Sequence, residues 1–123
     1  MSNNNLAPDG FNFVQESHGI NEYNLESNGL RVLTLSDRSA PVATFMVTYH
    51  VGSRNEAIGY TGSTHLLEHL MFKGSRNFNK EKGTAIWDEL QSIGAQINAT
   101  TWNDRTNYFE VVPSEHLEKA IAI

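Results

Sequence analysis

From Val42 to Val51 one face of the chain collects Ala43, Phe45, Val47, Tyr49 and Val51, while Thr44, Thr48 and His50 fall mostly on the other. A period of two is that of a strand with one buried side, and it predicts a central strand that is half or fully buried. Upstream, Tyr23 to Glu26 and Leu30 to Leu35 flank Asn28-Gly29, a dipeptide that accepts the positive φ of a tight hairpin. Downstream, Gln96 to Trp102 and Thr106 to Val112 are β-like runs joined by Asn103-Asp104-Arg105, a second hairpin.

Between and after these runs the period becomes helical. A short helix is predicted from Ser63 to Lys73, stopped by Gly74, and a longer one from Glu81 to Ile93. In the second, Ile86, Leu90 and Ile93 share a face and Gly94 ends it. A last helix is predicted from Ser114, whose side chain can cap it, with Glu115 near its positive end and Leu117, Ala120 and Ile121 on one face. It is expected to be still running at Ile123, so the chain is expected to be C-terminally truncated. Residues 52–62 are expected as a loop leading into the first helix, and residues 1–20, with Asn3-Asn4-Asn5, as a loose lead-in. The remainder, 21–123, is expected to be one α+β unit, an antiparallel sheet with helices packed on one face.

Composition narrows what such a unit can do. With 123 residues, 39% hydrophobic and 19% charged, the chain can bury one core and has no room for two. A net charge of −5 with no long block of either sign argues against a nucleic-acid or anionic-membrane partner. The absence of cysteine removes disulfides, thiolate metal sites and a Cys nucleophile, leaving His and carboxylates as metal ligands. No apolar run is long enough to span a bilayer, and residues 1–10 lack a signal peptide's basic start and apolar stretch. The compartment stays open: cytoplasmic, or periplasmic if a signal peptide has been removed.

One segment carries chemistry. His65-Leu66-Leu67-Glu68-His69 sets two imidazoles at i and i+4 with a carboxylate between them. On a helix His65, Glu68, His69 and Phe72 project from one side, and Leu66, Leu67, Leu70 and Met71 are expected to anchor the opposite side in the core. Two His one turn apart can aim ring nitrogens at one zinc ion, which acidifies bound water. Glu68, next to His69, is better placed as general base than as a third ligand. This is the H-x-x-E-H order of the inverzincins. The alternative is a surface helix with solvated His and Glu and no metal. It is weakened by the apolar back of the helix, its flanking glycine loops and the cost of burying such a polar stripe without a partner.

The stretch Val51 to Ser75, VGSRNEAIGYTGSTHLLEHLMFKGS, resembles the active-site signature of the pitrilysin family of zinc metallopeptidases. Gly94 to Pro113, GAQINATTWNDRTNYFEVVP, resembles the family's edge strand and returning strand, and the likeness covers most of the chain from about residue 20. The resemblance implies the N-terminal part of a metallopeptidase domain in which His65 and His69 bind zinc and Glu68 is the base. It further implies that Asn98, Ala99 and Thr100 pair with the backbone of a peptide or small-protein substrate. The alternation of Asn98 and Thr100 with Ile97, Ala99 and Thr101 fits an exposed edge strand, with or without a ligand. The family's third zinc ligand is a Glu roughly seventy to eighty residues beyond the motif, whereas 123 − 69 = 54 residues follow His69. Glu110, Glu115 and Glu118 do not match that position, so the chain by itself is expected to be inactive.

A homo- or hetero-dimer is compatible with the resemblance, and a non-catalytic partner subunit of a processing-peptidase-like complex is the alternative function. Arg54 and Glu56 are similar to the signature and are expected to brace the loop before the helix. His18, His50 and His116 are out of spacing, His50 being expected as a satisfied structural residue, and Trp87 and Trp102 are expected to pack.

Overall fold

The computed structural model describes residues 7–123, which fall into two compact units divided between residues 40 and 41. The first unit is a three-stranded antiparallel sheet of β1 (Phe11–Ser17), β2 (Ile20–Leu25) and β3 (Arg31–Leu35), in that order. The expected loose lead-in over 1–20 is therefore corrected: residues 11–17 form a strand, and residues 1–6 lie outside the described residues. The signal that a search for Asn-Gly misses is His18-Gly19. Both residues take positive φ, 53° and 82°, and close a two-residue hairpin between Ser17 and Ile20. Phe11 and Phe13 each meet the Tyr23 ring edge-on.

The β2–β3 hairpin forms where Asn28-Gly29 predicts it, but through a four-residue loop. Leu25 N–H bonds Leu30 O at 2.8 Å, and Gly29 alone takes positive φ, 72°.

The second unit holds β4 (Val42–Tyr49), α1 (Ser63–Met71), α2 (Ile86–Gln91), β5 (Gln96–Thr101), β6 (Thr106–Pro113) and α3 (Leu117–Ala122). Its sheet is antiparallel with the order β4-β6-β5. The fold class is α+β as expected, with two three-stranded sheets in place of one. β4 has the expected alternation, Ala43, Phe45 and Val47 being half-buried, but it lies at an edge: β6 is central. Periodicity reports which side of a strand is covered and carries no information about how many neighbours it has.

α1 and α2 pack on β5, and α3 lies against β4 and β6. Leu90 of α2 and Val112 of β6 are the fully buried large side chains, joined by the small Ala85, Ala99 and Ala120. The single helix expected over 81–93 is broken. Lys80–Lys82 make one 3-10 turn, Asn79 Oδ1 accepts from Lys82 N–H at 3.0 Å, and Gly83 turns left-handed at φ 68°. The last helix begins with a 3-10 turn over Ser114–His116 and lacks the expected Ser114 side-chain cap, the Ser114 N–H bonding Pro41 O at 3.1 Å instead.

The amphipathic reading of α1 is corrected more sharply. Its Glu68 and Phe72 side faces the sheet, where Phe72 packs on Trp87 and Tyr108 with ring centroids 5.2 and 6.1 Å apart. Leu66, Leu67, Leu70 and Met71 are each about half exposed, at 59, 56, 49 and 47%. Among the described residues no helix is long and apolar enough to cross a membrane.

Candidate metal and peptide site

The site is assembled by a loop that docks on a turn. After β4 the chain reaches Gly52, where a Cβ would lie 2.1 Å from Trp102 O; only glycine permits that approach. Ser53 and Arg54 N–H then bond Trp102 O and Asn103 O at 3.0 and 2.9 Å, tying the loop to the β5–β6 turn. Two residues on, Glu56 braces the start of α1, as expected. The helix N-cap is Gly62, which has no side chain to offer. The Glu56 carboxylate substitutes for it by accepting Gly62 N–H, Thr64 N–H and the Thr64 hydroxyl. Those bonds, led by the Thr64 hydroxyl, hold the Glu56 pKa below its ordinary value.

Anchored in this way, α1 presents His65 and His69 to solvent from successive turns. Their Nε2 atoms are 3.1 Å apart and their ring centroids 4.8 Å. A tetrahedral zinc with bonds of about 2.0–2.1 Å separates two nitrogen ligands by roughly 3.3 Å, so the pair fits one ion. Glu68 lies on the same helix. It is buried, and its Oε2 accepts a short hydrogen bond from the Thr101 hydroxyl at the end of β5. Among the described residues no cluster of three His, Cys, Asp or Glu could hold a metal, so Glu68, Glu110, Glu115 and Glu118 do not complete the His pair. A cleft of about 190 Å³ opens beside His65, bordered by Thr64, Glu56, Thr101 and Trp102.

Among the described residues β5 is an edge strand, paired with β6 alone. The turn bond from Trp102 N–H to Arg105 O sets the alternation of the antiparallel ladder. Asn98 and Thr100 therefore spend their backbone groups on β6, while Ile97, Ala99 and Thr101 turn theirs to the open edge. Consistent with this, Ala99 N–H is met by Asn98 Oδ1 at 2.9 Å. The Ala99 side chain is buried, those of Asn98 and Thr100 are exposed, and Arg105 donates to the Thr100 hydroxyl at 3.0 Å. On the central strand, Tyr108 has its pKa raised by burial and then by the nearby Glu68 charge.

Sequence reasoning missed Thr101 as a partner of Glu68; an inward position on an alternating strand is the only trace it leaves. Trp87 packs as expected, whereas Trp102 is 66% exposed and contributes its carbonyl. His50 is exposed just past β4, so the structural role expected for it has no support.

The chain is 36% identical over 112 residues to an uncharacterized zinc protease of Streptomyces coelicolor, covering 89% of this chain and 24% of that protein. It is 37% identical over 111 residues to mitochondrial cytochrome b-c1 complex subunit 1 of Homo sapiens, covering 90% and 22%. The crystal structure of pitrilysin superposes with a TM-score of 0.77 at 26% identity, over 91% of this chain and 12% of that one. The chain thus spans about a quarter or less of the length of these relatives. The family described as insulinase, peptidase family M16, matches residues 31–123, three quarters of the sequence and all of the site just described, and the chain belongs to that family.

Proposed function

We propose that this chain carries the motif-bearing part of a zinc-dependent endopeptidase that hydrolyses peptides or small proteins. The observation that carries the reading is the 3.1 Å separation of His65 and His69 Nε2, with Glu68 on the same helix and bonded to Thr101, which borders the cleft beside His65. In this reading His65 and His69 hold the ion, which when bound supplies a Lewis acid that polarises the scissile carbonyl and acidifies water. Glu68 Oε1, without a hydrogen-bond partner among the described residues, takes the proton from the attacking water and returns it to the leaving amine. The substrate adds as a strand to the open edge of β5 through the peptide groups of Ile97, Ala99 and Thr101, with Asn98 and Thr100 flanking it. The Asn98 amide, which now occupies Ala99 N–H, swings aside to admit it.

Two nitrogen ligands are fewer than the three protein ligands usual at a catalytic zinc. The 123-residue chain by itself therefore holds zinc weakly and is inactive, and a third ligand comes from outside it. Metal analysis after dialysis tests this, and firmly held stoichiometric zinc would overturn it. In the full-length protein, Glu68→Gln abolishes peptide hydrolysis while zinc stays bound. Activity equal to the parent's sinks the enzyme reading.

A second reading, a non-catalytic subunit of a homo- or hetero-dimeric assembly, is favoured by the 37% identity to a subunit of the cytochrome b-c1 complex. The presence of His65, Glu68 and His69 together weighs against it. An intact full-length protein that binds zinc and hydrolyses no peptide would select it.

A further inference from the structure

We infer that Thr101 is a positioning residue for the Glu68 carboxylate and couples it to the strand on which substrate is registered. This rests on the peptidase reading above. Glu68 is buried at 8% exposure, and a buried carboxylate is placed by whatever donors it finds. The hydroxyl of Thr101, 33 residues away in sequence, is the donor on its Oε2. Without it, Glu68 is free to rotate about its side-chain bonds. With it, one oxygen is pinned and the other is left for the proton.

The same residue occupies a second position of consequence. Thr101 is one of the β5 residues whose backbone groups face the open edge, on the register set by the Trp102–Arg105 turn bond. Its backbone thus lies where a substrate strand would pair while its side chain holds the base. The turn that follows is itself fixed to the loop preceding α1 by the Ser53 and Arg54 N–H bonds to Trp102 and Asn103. The distance from base to substrate is therefore set by a closed circuit of Thr101, the turn, the Gly52 loop, α1 and Glu68. A structural threonine could simply satisfy a buried acid. A positioning threonine makes a different prediction, because the acid stays on its helix while its aim is lost.

The test uses the full-length, zinc-loaded protein. Thr101→Val keeps the branched shape and removes the hydroxyl. It is expected to lower kcat about ten- to a hundredfold with KM within about twofold. Zinc affinity stays near the parent's, and the melting temperature falls by no more than the loss of one hydrogen bond to a buried carboxylate brings. Thr101→Ser, which restores a donor, is expected to recover most of kcat. In the Glu68→Gln background, Thr101→Val is expected to cause no further loss.

Unchanged kcat in Thr101→Val overturns the inference, as do equal losses in the Ser and Val variants or additive losses in the double variant. If Thr101→Val does not fold, Thr101→Ser and its combination with Glu68→Gln still decide. Parent-like activity in Glu68→Gln alone would instead remove the peptidase reading on which the inference stands.

Discussion

Glu56 and Thr64, eight residues apart, share one carboxylate oxygen: Glu56 Oε1 accepts both the backbone N–H of Thr64 at 2.9 Å and its hydroxyl at 2.5 Å. Oε2 takes Gly62 N–H at 2.8 Å, so one side chain satisfies two of the unpaired donors at the start of the helix that carries His65 and His69. The negative charge also sits at the positive end of the helix dipole.

Glu56→Gln keeps one acceptor and loses the charge; Glu56→Ala loses both. Both variants are expected to melt at lower temperature than the parent, Ala by more, and circular dichroism thermal scans read the order. The pH dependence has a definite sign. A carboxyl whose folded pKa lies below the ordinary 4.5 contributes stability that is present above that value. That contribution is lost as the pH falls through the lower folded pKa. The gap between parent and Glu56→Gln is therefore expected to be full at neutral pH and to shrink as the pH falls below 4.5 and through the lower folded pKa.

Gly52→Ala is expected to be more damaging than its exposed surroundings suggest. The φ of Gly52 is −153°, extended backbone open to any residue, so the cost is entirely steric. The added methyl meets Trp102 O at 2.1 Å and Asn103 backbone atoms at 2.6 and 2.7 Å, none of which can rotate away. Overpacking of this kind costs about 1–3 kcal/mol. Chemical denaturation reads the loss, and a variant as stable as the parent would mean that the loop can part from the β5–β6 turn.

What was legible in the sequence was local. The His65, Glu68 and His69 spacing, the β5 alternation around Ala99 and the hairpin to β6 all depend on residues within a few positions of one another, and all three appear where expected. What was not legible depended on which surface meets which. The apolar side of α1 looked like its buried side, yet the sheet takes Glu68 and Phe72 because Thr101 and Tyr108 await them there. A helical pattern over 81–93 did not reveal that Gly83 would be left-handed, since glycine is tolerated in either conformation. The edge position of β4 is a property of the sheet and leaves no mark on β4 itself.

Glu110 offers a gain in place of a loss. It lies on central β6 opposite Phe45 and Ile97, its Oε2 is buried without a partner, and burial raises its pKa. An acid whose folded pKa is raised contributes its full stability below the unfolded value near 4.5 and loses it as the pH climbs through the folded value. Glu110→Gln, uncharged at every pH, is expected to melt higher than the parent at neutral pH and to lose that advantage in acid. Paired melting curves at two pH values check the sign, and a lower melting temperature at neutral pH would mean that the carboxylate has a favourable partner.

The exposed side of α1 predicts how the 123-residue chain behaves alone. Leu66, Leu67, Leu70 and Met71 form one continuous apolar strip, and they keep roughly half of their surface in water. Contiguous apolar surface of this kind drives association when nothing covers it. The chain is expected to self-associate with rising concentration and to bind an apolar dye. Leu66→Lys and Leu70→Glu are each expected to reduce both effects while leaving the His65–His69 pair and the Glu68–Thr101 bond in place. Light scattering across a concentration series gives the first readout and dye fluorescence the second. A parent chain that stays monomeric and dark to the dye would show that these four residues are covered in solution, and that the amphipathic expectation for the helix was right about its burial after all.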